Sequence, residues 1–165
     1  ITLTYLTSGS TTEVQAEREY IQQSLEETLG LTVELSVAGD SSLFIADRNE
    51  GNYDFFLGGW YSDYNDPLDF LYTNYTDAYG MSFGGYSNTD YDALADQLVG
   101  ETDSDKRLDI YKQMEQILLL DDCAFAPIYY ATKQVLLQNW VKDYRTSSFG
   151  ASAEFIWTYI DGKNQ

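Results

Sequence analysis

Histidine is absent from this 165-residue chain, and cysteine occurs once, at Cys123. Without histidine, the Ser-His-Asp and Cys-His arrangements of nucleophilic catalysis have no base within the chain, and histidine-based zinc sites have no ligand. A lone cysteine cannot close an internal disulfide, and no CxxC pair is present. Basic residues are scarce too. Nine lysines and arginines stand against 27 acids, for a net charge of −18. Nucleic-acid binding needs basic surface to neutralise phosphates, so no nucleic-acid partner is expected. An anionic membrane surface would repel such a chain. No charged segment followed by an apolar one opens the sequence, and no apolar run approaches the ~20 residues of a membrane span. Neither a nucleophile elbow nor a phosphate-cradling loop is found.

What is present is apolar and aromatic. Apolar residues make up 44% and aromatics 16%, enough to fold one domain of sizeable core. Tyrosine alone occurs 15 times. Its large contact area and polar tip suit binding surfaces, but β-propensity would also recruit it to half-buried strands. Both readings stay open for any single tyrosine.

Periodicity divides the chain into elements. ITLTYLT (1–7) alternates as a strand. Ser10-x-x-Glu13 reads as a capping box, followed by a helix with Val14, Ile21, Leu25 and Leu29 on one face. Gly30 stops it. LTVELSV (31–37) alternates again, and a helix opened by Asp40 or Ser41 runs to about Gly51. YDFFLGGW (53–60) is nearly continuous apolar sequence, the pattern of a strand buried on both faces of a parallel sheet. The first 60 residues therefore read as a βαβαβ unit. Residues 61–88 are loop-like, with Pro67 starting a short helix through Tyr72. Thr89-x-x-Asp92 reads as a second capping box, with Leu94 and Leu98 one turn apart. The strongest helix is 104–120, with Leu108, Tyr111, Ile117 and Leu118 inward and Lys106, Arg107 and Lys112 outside that stripe. FAPIYYATKQVLLQ (125–138) reads as one or two strands, and FIWTYI near the end as another. The abrupt opening on ITLTYLT is expected for a cut inside a larger protein.

The stretch GGWYSDYNDP (58–67) stands out at the carboxyl end of the third strand, where ligands bind in wound sheets. DYNDPLD and ETDSDKR resemble calcium loops, but positions six and twelve counted from Asp63 are Leu68 and Asn74, and from Glu101 Lys106 and Lys112. An EF-hand needs Gly and Glu there. A loosely held cation at Asp63, Asp66 or Asp69 is the remaining metal reading. Glycosidases need facing carboxylates, and 27 acids make sequence spacing uninformative. Asp63 sits among Trp60, Tyr61 and Tyr64, where partial desolvation favours a cationic partner. That partner is either an internal base such as Arg48 or the ammonium of a ligand. Gly58 and Gly59 let another backbone approach, so an extended peptide could add by β-augmentation.

At FIADRNEGNYDFFLGGWYSDYNDPLDFL (44–71) the sequence resembles the C-terminal lobe of the oligopeptide-binding proteins, the extracytoplasmic receptors of ABC peptide importers. Arg48, Gly51, Tyr53, Asp54, Gly59, Trp60, Asp63, Tyr64, Asp66, Pro67, Phe70 and Leu71 fit the family pattern. YSNTDYDALADQ and the helix leading to APIYY fit its downstream rhythm. The resemblance implies an α/β fold: a mostly parallel sheet flanked by helices, one lobe of a type II periplasmic-binding-protein-like fold. It makes residues 1–165 a single lobe excised from a two-lobed receptor. It further implies an oligopeptide ligand, the N-terminal lobe and importer membrane subunits as partners, a monomer, and no cofactor. The location implied is a cell-surface lipoprotein or the periplasm. Asp63 would take the peptide α-amino group, Gly59 and Tyr61 would offer main-chain groups, and Trp60 would wall the site. Arg48 matches a family arginine, in a ligand-binding or a structural role. Alternatives are a lobe for a dipeptide, signalling peptide, sugar or metal chelate, and, from another class, an acidic hydrolase. An isolated lobe holds half a cleft and is expected to fold but bind peptides weakly.

Overall fold

The computed structural model describes residues 1–76, 85–150 and 153–163. They fall into two compact units. The first is Ile1–Gly59, joined by Gly85 and Tyr86; the second comprises the described residues among 60–76 and 87–163.

The first unit is the expected βαβαβ: β1 (Thr2–Ser8), α1 (Thr12–Leu29), β2 (Thr32–Ala38), α2 (Ser41–Glu50) and β3 (Phe55–Phe56). All its strands are parallel, in the order β2-β1-β3, with Leu3 opposite Val33 and Tyr5 opposite Phe55. The order reverses direction after β2, so right-handed crossovers carry α1 and α2 to opposite faces. α1 packs against β2, and α2 against β1 and β2. Local chemistry sets the helix ends. The Thr11 hydroxyl accepts from the Val14 N–H at 3.3 Å, so Thr11 is the cap, one residue past the Ser10 that the capping box predicts. Asp40 accepts from the N–H groups of Ser42 and Leu43. Gly30 and Gly51 end the two helices with φ of 65° and 74°, a left-handed turn that favours glycine.

Burial in this sheet differs from the sequence reading. β1 is the strand buried on both faces: Tyr5, Leu6 and Thr7 are buried in succession, because β1 is central and helices cover its sheet. The apolar run 53–60 contributes only a two-residue strand, half-buried, because β3 pairs on one side alone among the described residues. Tyr5 and Phe55 stack at 4.6 Å across that pairing. On α1, Leu29 is exposed; the inward face is instead Val14, Arg18, Ile21 and Leu25, of which Arg18 is buried.

The second unit is mainly helical. α3 (Leu68–Leu71) runs into a 3₁₀ turn at Tyr72–Asn74, followed by α4 (Thr89–Leu98) and α5 (Ser104–Glu115), which continues as a π-helical turn over Gln116–Asp121. α4 is capped by Asn88, whose side chain accepts from Asp90 and Tyr91, and not by Thr89. Its buried residues Tyr91, Ala95 and Leu98 face α5, whose inward stripe is Ile110, Tyr111, Met114 and Leu118. Leu108 is exposed, and Arg107 lies on the inward side with the stripe. The Tyr91 hydroxyl donates to the Leu71 carbonyl at 2.6 Å, tying α4 to α3. Residues 125–138 form no strand, because no ladder partner is present among the described residues. The tail does pair, though briefly: β4 (Val141–Lys142) and β5 (Tyr159–Ile160) are antiparallel.

Candidate functional site

Three aspartates stand between Trp60 and the end of the first turn of α3, and the carboxylates of two of them accept hydrogen bonds. Asp69 is buried at 6% exposure. One of its oxygens, Oδ2, accepts from both the Trp60 indole N–H and the Asp63 backbone N–H, each at 2.9 Å. Asp66 opens α3 by accepting from the Leu68 N–H at 2.8 Å, in the position where Pro67 has no N–H of its own. The same carboxylate accepts from Arg107 at 2.8 Å and from the Tyr111 hydroxyl at 2.6 Å. Burial pushes Asp66 up, but hydrogen bonds from Tyr111, Leu68 and Arg107, with the Arg107 charge, outweigh it and hold the carboxyl below its usual range. Tyr111 moves the other way, to about 12, through burial and its bond to the Asp66 carboxylate. Arg107 also donates to the carbonyls of Leu98 and Glu101 at 3.0 Å, closing the end of α4.

A third support comes from the tail. The Gly150 N–H donates to the Ser62 carbonyl at 2.7 Å. Gly150 has φ of 66°, and a Cβ there would stand 3.4 Å from the Asp63 carbonyl oxygen, so this close approach favours glycine. Lys133 places its ammonium 5.2 Å from the centre of the exposed Tyr61 ring.

Asp63 is the exception. Its main chain is held, yet its side chain is exposed, and among the described residues its carboxylate has no hydrogen-bond or ion-pair partner. A carboxylate on a fixed backbone, open to solvent, is a ready acceptor for a cationic donor. No group of three or more carboxylate or thiol side chains converges as a metal site would, among the described residues.

The comparisons with known proteins point one way. Residues 1–82 match the model of the bacterial extracellular solute-binding proteins, family 5 middle. The chain is 33% identical over 139 residues to the dipeptide-binding protein DppE of Bacillus subtilis, covering 84% of this chain and 24% of that protein. It is 30% identical to the periplasmic oligopeptide-binding protein OppA of Escherichia coli, covering 72% of this chain and 21% of that protein. The structure of Listeria monocytogenes OppA bound to peptide superposes with a TM-score of 0.76 at 32% identity, over 97% of this chain and 30% of that one. The chain belongs to the family 5 extracellular solute-binding proteins. Its α/β class, with a mostly parallel sheet, is the fold these family 5 structures share. The chain spans less than a third of the length of the relatives it matches.

In this family 5 chain, Trp60, Tyr61 and Asp63 come together in one loop of the second unit. Gly59 closes the first unit, exposed, with nothing within 4 Å of where a Cβ would stand. Arg48 also belongs to the first unit, half-buried in the last turn of α2. Its charge acts on Tyr53, whose hydroxyl burial pushes up and Arg48 pulls part of the way back. Sequence reasoning missed Asp69, Arg107, Tyr111 and Gly150 as supports of the loop. Tyr111 and Arg107 share a helix face four residues apart, but only tertiary structure shows that Asp66 meets them.

Proposed function

We propose that this chain is a peptide-binding part of the substrate receptor of an ABC importer for oligopeptides. The observation that carries this reading is the exposed Asp63 carboxylate, unpartnered among the described residues, on a loop held by Asp69, in a family 5 chain. Relatives named for oligopeptide binding, one of them solved with peptide, support it. Asp63 takes the peptide α-ammonium, Gly59 and Tyr61 offer main-chain hydrogen bonds, and Trp60 walls the site. Arg48 takes its role in the same receptor, as a ligand contact or as a support of the first unit. The mechanism is reversible capture: no bond in the ligand is made or broken. The second lobe of a longer polypeptide completes the cleft, and the importer's membrane subunits receive the peptide. The receptor works as a monomer outside the cytoplasm, in the periplasm or as a surface lipoprotein.

Calorimetry on the complete receptor tests the reading. Asp63→Ala removes a charge-assisted bond worth about 1.5–3 kcal/mol, so free-amine peptides weaken roughly 10- to 150-fold. N-acetylated peptides, which lack the ammonium, should change little. Equal losses for both ligand types would sink the anchoring role.

A further inference from the structure

An exposed carboxylate selects for an amine only if it stays where the amine arrives. Among the described residues the Asp63 carboxylate has no hydrogen-bond or ion-pair partner to hold it, so its position comes from its main chain. That main chain is tied to Asp69. The same Oδ2 that receives the Asp63 N–H also receives the Trp60 indole N–H, both at 2.9 Å. Asp69 is buried and stands in the first turn of α3, a turn fixed in its turn by Asp66, Arg107 and Tyr111.

We propose that Asp69 is the positioning residue of the site: one buried carboxylate oxygen sets both the Trp60 ring and the Asp63 backbone, and so determines how strongly the receptor prefers a free peptide amine. This inference rests on the reading of Asp63 as the ammonium acceptor. Two bonds on one oxygen couple the aromatic wall to the anionic anchor, so loss of Asp69 removes one hydrogen bond from each at once. A residue needed only for folding would weaken every ligand alike. A positioning residue weakens the amine contact selectively, because only that contact depends on where the Asp63 carboxylate points.

The experiment uses the complete receptor and a pair of peptides differing only by N-acetylation. The readout is the ratio of their affinities in the unsubstituted protein, Asp63→Ala, Asp69→Asn and Asp69→Leu. Asparagine keeps an oxygen that accepts both bonds, and the ratio should stay within about threefold of the unsubstituted protein. Leucine keeps the volume without an acceptor, and the ratio should fall by about tenfold or more, the effect of moving a charge-assisted acceptor out of line with its donor. Asp69→Ser, too short to hold both donors, replaces the leucine variant where that variant does not fold, with the same expected fall. The Trp60 indole N–H, assigned by its disappearance in Trp60→Phe, should shift in the ¹H–¹⁵N spectrum of Asp69→Leu or Asp69→Ser and keep its place in Asp69→Asn. An unsubstituted ratio far from unity that survives the leucine or serine change overturns the positioning role alone. An unsubstituted ratio near unity, unchanged by Asp63→Ala, overturns the ammonium reading and the positioning role with it.

Discussion

Arg18 shows how far a single side chain can depart from its sequence signal. It stands among polar neighbours in α1, yet it is 9% exposed, and its Nε and Nη1 have no acceptor among the described residues. Each buried donor left unmade costs about 1–3 kcal/mol, while the aliphatic stem of the side chain gains from packing. Methionine keeps most of that stem and removes the donors. Arg18→Met is therefore expected to leave the unfolding free energy of the chain unchanged or to raise it by about 1–3 kcal/mol. Urea denaturation followed by far-UV circular dichroism measures this. A fall of about 1 kcal/mol or more would mean that the guanidinium contributes a contact other than packing.

Among the elements, the Asp66–Arg107–Tyr111 cluster joins the site loop, the end of α4 and the first two turns of α5. Its stability has a definite pH window. Asp66 is held below its ordinary value in the fold, so its contribution is present above the unfolded carboxylate range, about 4, and lost as pH falls through the lower folded value. Tyr111 is pushed up to about 12, so its contribution is complete below about 10 and lost as pH rises between the two. Tyr111→Phe should cost about 1.5–3 kcal/mol near neutrality and flatten the alkaline limb of the stability curve. An alkaline limb as steep in the phenylalanine variant as in the parent would contradict the assignment. The helices around this cluster were legible because capping residues and 3.6-residue spacing are local properties, and the caps missed their predicted places by a single residue, Thr11 for Ser10 and Asn88 for Thr89. The strand readings fared worse. Residues 125–138 have the apolar, β-prone composition of strands, but a strand exists only when a partner pairs with it, and Tyr130 and Leu136 are 93% and 99% exposed. Composition likewise placed the doubly buried strand at 53–60, when the strand order gives that position to β1.

For the whole molecule, Asp63 could be singled out from sequence because W-x-x-D-Y follows an apolar run, a pattern within six residues. Its supports could not, since Arg107 reaches Asp66 across 41 positions and Gly150 returns to Ser62 from the far end of the chain. One property of the whole chain was visible at once, the net charge of −18. Like charges in such excess repel one another in the compact state. The pairs Lys106–Glu101 and Lys112–Asp109, whose lysines are exposed, offset little, at ~0–1 kcal/mol each. The partly buried Asp66–Arg107 pair is hydrogen-bonded, and salt screens it less than it screens the surface. Raising sodium chloride from about 10 mM to about 150 mM shortens the screening length from about 30 Å to about 8 Å, which screens the longer-range repulsion among surface acids. Repulsion is therefore screened more than attraction, and the chain should gain stability on the order of 1 kcal/mol, a rise of about 2–4 °C in the unfolding midpoint. Keeping to chloride at these concentrations separates screening from the exclusion effects of sulfate or phosphate. A midpoint that falls as salt rises would show that attractive pairs, and not the excess of acids, dominate the electrostatics of the folded chain.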